Sequence, residues 1–75
     1  MTRYANLNGA SPISRFEIGP DFIDVQFGDW IYRYNDAYPG PAHVERMKAL
    51  AENGRGLATY ISTRVKNRYA LKRPR

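Results

Sequence analysis

The residues of this chain best suited to chemistry are cations. Arg55, Arg64, Lys66, Arg68, Lys72, Arg73 and Arg75 all follow Asn53, and no Asp or Glu follows Glu52. Residues 54–75 therefore carry seven positive side chains and no negative one, a net of +7. Residues 1–53 carry five basic and seven acidic side chains, a net of −2. The formal charge of +5 is thus one cationic segment attached to a mildly acidic body. Such a field attracts polyanions, because neutralising phosphates releases condensed counterions. Arg64 and Arg68 are four apart and fall on one helical face, with Lys72 in line if that helix continues. Lys66 is offset from them, and Arg73 and Arg75 extend the charge. A charge run is usually a solvated face, but such a run normally mixes signs; a merely solubilising tail is the plainer reading. Gly54-Arg55-Gly56 offers free N–H groups and an arginine at a helix start, where a phosphate can sit. Gly54 also reads simply as the end of the preceding helix.

Other chemistries are poorly supplied. There is no cysteine and only one histidine, His43, which argues against disulfides and a zinc site and fits a reducing compartment. His43 has no partner residue in the sequence and reads as a surface histidine. No Ser–His–Asp or Cys–His arrangement can be assembled, and the seven scattered acids give no paired-carboxylate signature. The expectation is a non-enzyme without metal or cofactor.

Elements must position these cations. The 75 residues make one domain, and a chain this short buries only roughly 60% of its unfolded surface. Dimerisation is one way to recover stability and stays open. Residues 1–12 contain Asn6, Asn8, Gly9, Ser11 and Pro12, and read as a flexible arm. Ile13–Ile18 reads as a first strand, ended by Gly19-Pro20-Asp21. Ile23, Val25 and Phe27 then alternate with Asp24 and Gln26. After Gly28-Asp29, Trp30, Tyr32 and Tyr34 alternate with Ile31 and Arg33. A two-residue turn at Gly28-Asp29 sets Phe27 opposite Trp30, Val25 opposite Tyr32 and Ile23 opposite Tyr34, all on one face. The other face then pairs Asp24 with Arg33, of opposite charge.

Pro41 opens a helix bearing Val44, Met47, Leu50 and Ala51 at helical spacing, stopped by Asn53-Gly54. A second helix is expected from Leu57 to about Tyr69 on the stripe Leu57, Ile61, Val65. The resulting fold class is α+β: a small three-stranded antiparallel meander followed by two helices packed on one face, βββαα. The helices are expected to cover the aromatic face, which makes Trp30, Tyr32 and Tyr34 core. Their alternative reading is a stacking platform for bases. Residues 13–70 form the domain, and 71–75 a basic tail. No apolar run approaches the ~20 residues that cross a bilayer, and no signal peptide is recognisable. A soluble, cytoplasmic protein is expected.

The strand Ile23-Asp24-Val25-Gln26-Phe27, the pair Tyr32-Arg33-Tyr34, Pro39, the turn glycine Gly54 and the aromatic-basic segment Tyr60–Tyr69 occur in a particular order. That ordered set resembles the KTSC domain, a small domain also found at the C-terminus of some lysyl-tRNA synthetases. The resemblance spans residues 13 to about 70 and implies the fold more than the function, with RNA binding as its suggested role.

The leading expectation is a small non-catalytic nucleic-acid-binding domain, RNA slightly favoured over DNA. Its phosphate contacts would come from Arg55, Arg64, Lys66, Arg68, Lys72, Arg73 and Arg75. A module docking an acidic protein partner is the alternative. A ribbon–helix–helix-like DNA-binding dimer, which reads DNA with paired strands, is a third.

Overall fold

The computed structural model describes residues 1–7, 9 and 11–75. Asn8 and Ala10, inside the expected N-terminal arm, lie outside the described residues. In chain order the elements are β1 (Thr2–Arg3), β2 (Ile13–Ile18), β3 (Phe22–Phe27), β4 (Trp30–Asn35), α1 (Pro41–Asn53), α2 (Leu57–Tyr60) and β5 (Leu71–Pro74). A π-helical turn, Ile61–Val65, continues α2.

The central hairpin has the register its alternation dictates. Phe27 pairs with Trp30, Val25 with Tyr32, Asp24 with Arg33 and Ile23 with Tyr34. Gly28 turns the chain at φ +56°, a conformation a side chain would strain. On the other side of β3, Phe16 lies opposite Val25 and Ile18 opposite Ile23, with an irregularity between Ile13 and Arg15.

Among the described residues the sheet has five strands rather than three, all antiparallel in the order β1-β2-β3-β4-β5. Both additions come from the segments expected to be arm and tail. β1 sets Thr2 opposite Phe16 and Arg3 opposite Arg15. Tyr4, next along, is 4% exposed and joins the core. Its hydroxyl accepts the Leu57 N–H at 3.4 Å, and Leu7 donates its N–H to the Gly54 carbonyl at 2.7 Å. A Cβ on Gly54 would lie 2.7 Å from the Ala5 Cβ, so the glycine admits the N-terminal segment against the helix turn. β5 sets Pro74 opposite Trp30, Arg73 opposite Ile31, Lys72 opposite Tyr32 and Leu71 opposite Arg33. It satisfies backbone groups that β4 would otherwise present as an open edge, and Pro74 suits an edge strand.

Both helices cover one face. Val44, Met47 and Ala51 of α1 are buried with Leu57, Ile61 and Val65 against Ile23, Val25 and Tyr34. Each fully buried aliphatic here contributes roughly 1.5–3 kcal/mol. The stripe Leu57, Ile61, Val65 packs as its spacing demands, but the helix stops at Val65 rather than near Tyr69. Lys66 donates its N–H five residues back to the Ile61 carbonyl at 2.6 Å, closing the π turn. Lys66 then takes φ +49°, ψ −119° and reverses the chain. Arg68 and Lys72 therefore do not continue the helical face that carries Arg64, contrary to the sequence expectation. His43 is half-buried, its Nδ1 2.7 Å from the Tyr60 hydroxyl, and it ties α1 to α2 rather than standing free on the surface.

Among the described residues the other sheet face carries no helix, yet Asp24 at its centre is only 1% exposed. Arg33 Nε and Nη2 donate to its two carboxylate oxygens at 2.8 and 3.0 Å, and Arg73 Nη2 from β5 donates at 3.0 Å. The Arg33 guanidinium also lies 4.0 Å from the centre of the Phe22 ring. The sequence pairing of Asp24 with Arg33 is correct, and long side chains from β4 and β5 close over the carboxylate. Among the described residues no helix is long and apolar enough to cross a membrane.

Candidate functional site: a cationic aromatic cleft

The seven cations singled out by the sequence divide into four sets. Arg73 points to the helix-free face and neutralises Asp24. Arg75 approaches Asp29 at 3.5 Å beside the hairpin turn. Arg55 is exposed between the helices, and the α2 N-terminus it was expected to serve is already occupied, since the Leu57 N–H binds Tyr4. The remaining four, Arg64, Lys66, Arg68 and Lys72, are all exposed. Among the described residues no carboxylate lies within 4.0 Å of any of them.

Two of these four border an aromatic cluster. Lys72 pairs with Tyr32 across β4 and β5, which turns its ammonium to the helix-covered face. The Nζ sits 4.5 Å from the Trp30 ring centre and 5.3 Å from that of Tyr32. Tyr32 meets Phe27 edge-on at 5.5 Å and Tyr69 edge-on at 5.0 Å. Phe27, Tyr32, Tyr34, Ile61, Lys66, Asn67 and Tyr69 line a cleft of about 250 Å³. It exists because the helical segment ends early: the Lys66–Tyr69 turn leaves the sheet surface where a longer helix would have covered it.

The three hairpin aromatics thus part company. Tyr34 is core, 2% exposed; Tyr32 is half-buried in the cleft wall; Trp30 is 44% exposed beyond the reach of the helices. Burial pushes the Tyr34 phenol well above its ordinary range, with the neighbouring Tyr32 and Tyr69 adding to the effect. Tyr34 stays a neutral phenol at any physiological pH. Asp24, on the opposite face, is also shifted. Burial alone would raise it, but hydrogen bonds and charges from Arg33 and Arg73 outweigh that and hold the carboxyl below its usual range.

Sequence reasoning missed Tyr69 as a member of the site and Lys72 as the partner of Trp30. The available signal was Trp30 itself, placed beside the hairpin turn, where helices packed over the middle of a sheet do not reach. A larger depression, about 680 Å³, is lined by Met1, Thr2, Phe16, Glu17, Ile18 and Glu52. Its two carboxylates disfavour a polyanion. No group of three or more His, Asp or Glu side chains suited to a metal gathers among the described residues.

Comparison with protein-family models, with curated proteins and with solved structures finds no match to this chain.

Proposed function

We propose that this chain is a small non-catalytic nucleic-acid-binding domain acting in the cytoplasm. In this reading Arg64, Lys66, Arg68 and Lys72 contact backbone phosphates. The observation that carries it is the juxtaposition of Lys66 and Lys72 with an aromatic cluster, in a segment where Arg64 and Arg68 are also exposed and, among the described residues, none of the four has an acidic partner. Cations in a merely solvated surface are normally interleaved with acids, whereas here Asp24 and Asp29 engage Arg73 and Arg75 instead. RNA is favoured slightly over DNA on the resemblance to the KTSC domain, which rests on the ordered residues alone. The ribbon–helix–helix alternative loses its support, because that dimer shares one strand per chain and here five strands pair within a single chain.

Binding of this kind falls steeply with salt, by about 0.7–0.9 log units per log unit of salt for each phosphate neutralised. In a fluorescence-anisotropy titration the double variant Arg64→Ala/Arg68→Ala binds more weakly, with a flatter salt slope and an unchanged melting temperature. Should neither RNA nor DNA bind tighter than a basic peptide of equal charge, the surface is instead a dock for an acidic protein.

A further inference from the structure

The cleft at Tyr69 carries more than charge. Tyr34 lines it while being 2% exposed, and its hydroxyl makes no hydrogen bond to the other described residues. Among the described residues no fully buried polar side-chain atom lacks a partner, so that hydroxyl is not sealed, and Tyr34 is one of the residues that line the cleft. A neutral phenol donor at the floor of an apolar slot is placed to read the edge of whatever enters. Around it stand the rings of Phe27, Tyr32 and Tyr69, with Asn67 and Lys66 at the mouth. Lys66 holds φ +49° and ψ −119° directly after a π-helical turn. Backbone strain and π turns both concentrate at functional sites. At about 250 Å³ the cleft falls below the roughly 300–1,000 Å³ of ordinary small-molecule pockets. One planar ring system suits that space better than a complete cofactor.

We propose that this cleft holds one unpaired base of a single-stranded nucleic acid. The Tyr34 hydroxyl and the Asn67 amide bind the base edge, Phe27, Tyr32 and Tyr69 contact its ring, and Lys66 and Lys72 hold the flanking phosphates. The inference rests on the nucleic-acid reading above and adds the substrate class: single strands, recognised through a base as well as through phosphates. In a duplex the bases are stacked and paired, and a slot of this kind cannot receive them without flipping.

The test compares three labelled probes at low salt: a short uridine oligomer, an abasic oligomer of equal length and charge, and a duplex. The uridine oligomer is expected to bind roughly 5- to 150-fold tighter than the abasic one, the equivalent of one stacked base. Tyr34→Phe keeps the ring and removes the hydroxyl; it should weaken uridine-oligomer binding roughly 2- to 10-fold and leave the abasic oligomer unaffected. If that variant does not fold, Asn67→Ala, at an exposed position, supplies the same comparison. Equal affinity for the uridine and abasic oligomers overturns the base pocket while leaving phosphate binding in place. Failure of all three probes to bind overturns the base pocket and the nucleic-acid reading together.

Discussion

Val25 and Asp24 are neighbours in one strand and both lose nearly all solvent exposure, yet they do so by opposite physics. Val25 points to the face covered by α1 and α2, where apolar area leaves water and nothing directional is required. Asp24 points to the face that no helix covers, where burial would be costly without partners and two arginines supply them. The covered face is built mainly by segments next to one another in sequence, a hairpin and two helices, with Tyr4, Ile13 and Phe16 added from β2 and the segment before it. The other face depends on Arg73, 49 positions away from Asp24. Its centre, where Arg33 already binds Asp24, is completed by the C-terminal segment returning as a fifth strand. The cationic segment is therefore not uniform in purpose. Arg73 is structural, whereas Lys66 and Lys72, which have no acidic partner among the described residues, border the cleft and its aromatic rim.

Truncating the covered face should have the largest effect. Tyr34→Ala should cost about 3–5 kcal/mol in urea unfolding, as buried aromatic truncations do. Tyr32→Ala, at the half-open cleft wall, should cost less, about 1–3 kcal/mol. Equal losses at both positions would mean that the cleft is closed in solution and that Tyr32 belongs to the core.

Next in size is Asp24→Asn on the other face. Removing one member of a buried pair costs 3–5 kcal/mol in dry settings, and the partly exposed arginines reduce the expectation here to about 2–3 kcal/mol. Because the folded carboxyl is held below its ordinary value, its contribution is present above the unfolded value of about 3.9. It is lost as pH falls through the lower folded value. The stability gap between wild type and Asp24→Asn should therefore narrow in acid-unfolding curves below about pH 4; a gap that widens there contradicts the triad.

Lys72→Ala should be smaller still, about 0.5–1 kcal/mol for the loss of an exposed cation–π contact. It should also alter the emission of Trp30, the only tryptophan in the chain. Arg75→Ala should shift stability least, within about 0.5 kcal/mol, since both it and Asp29 are largely exposed. Thermal melts of the two variants side by side order these last effects.

The sequence was a good guide where neighbours in space are neighbours in chain. The period-two alternation of residues 23–34 fixed the hairpin register residue by residue, because slipping it by one would turn every apolar side chain to the wrong face. The spacing of Val44, Met47 and Ala51, and of Leu57, Ile61 and Val65, marked both helical faces for the same reason. The list of cations was likewise plain from composition. Reading Arg64, Arg68 and Lys72 as one helical row failed, because helical spacing was carried past the point where the backbone turns at Lys66. Nothing local announces a π turn or a left-handed lysine. The N-terminal segment was misjudged on its Asn, Gly and Pro content; the one residue that anchors it, Tyr4, is a single aromatic without periodic company.

Alternation and charge asymmetry belong to the sequence alone: they determined the α+β class, the covered face and the cationic C-terminal segment, since each depends on short-range periodicity or simple counting. Tertiary structure decided which cations are spent on Asp24 and Asp29 and which remain free. It also decided that Thr2–Arg3 and Leu71–Pro74 close the sheet and that a cleft opens between Tyr32 and Tyr69. Those outcomes turn on pairings across most of the chain, where the energy of satisfying an open strand edge outweighs local preference, and no window of neighbouring residues contains both partners.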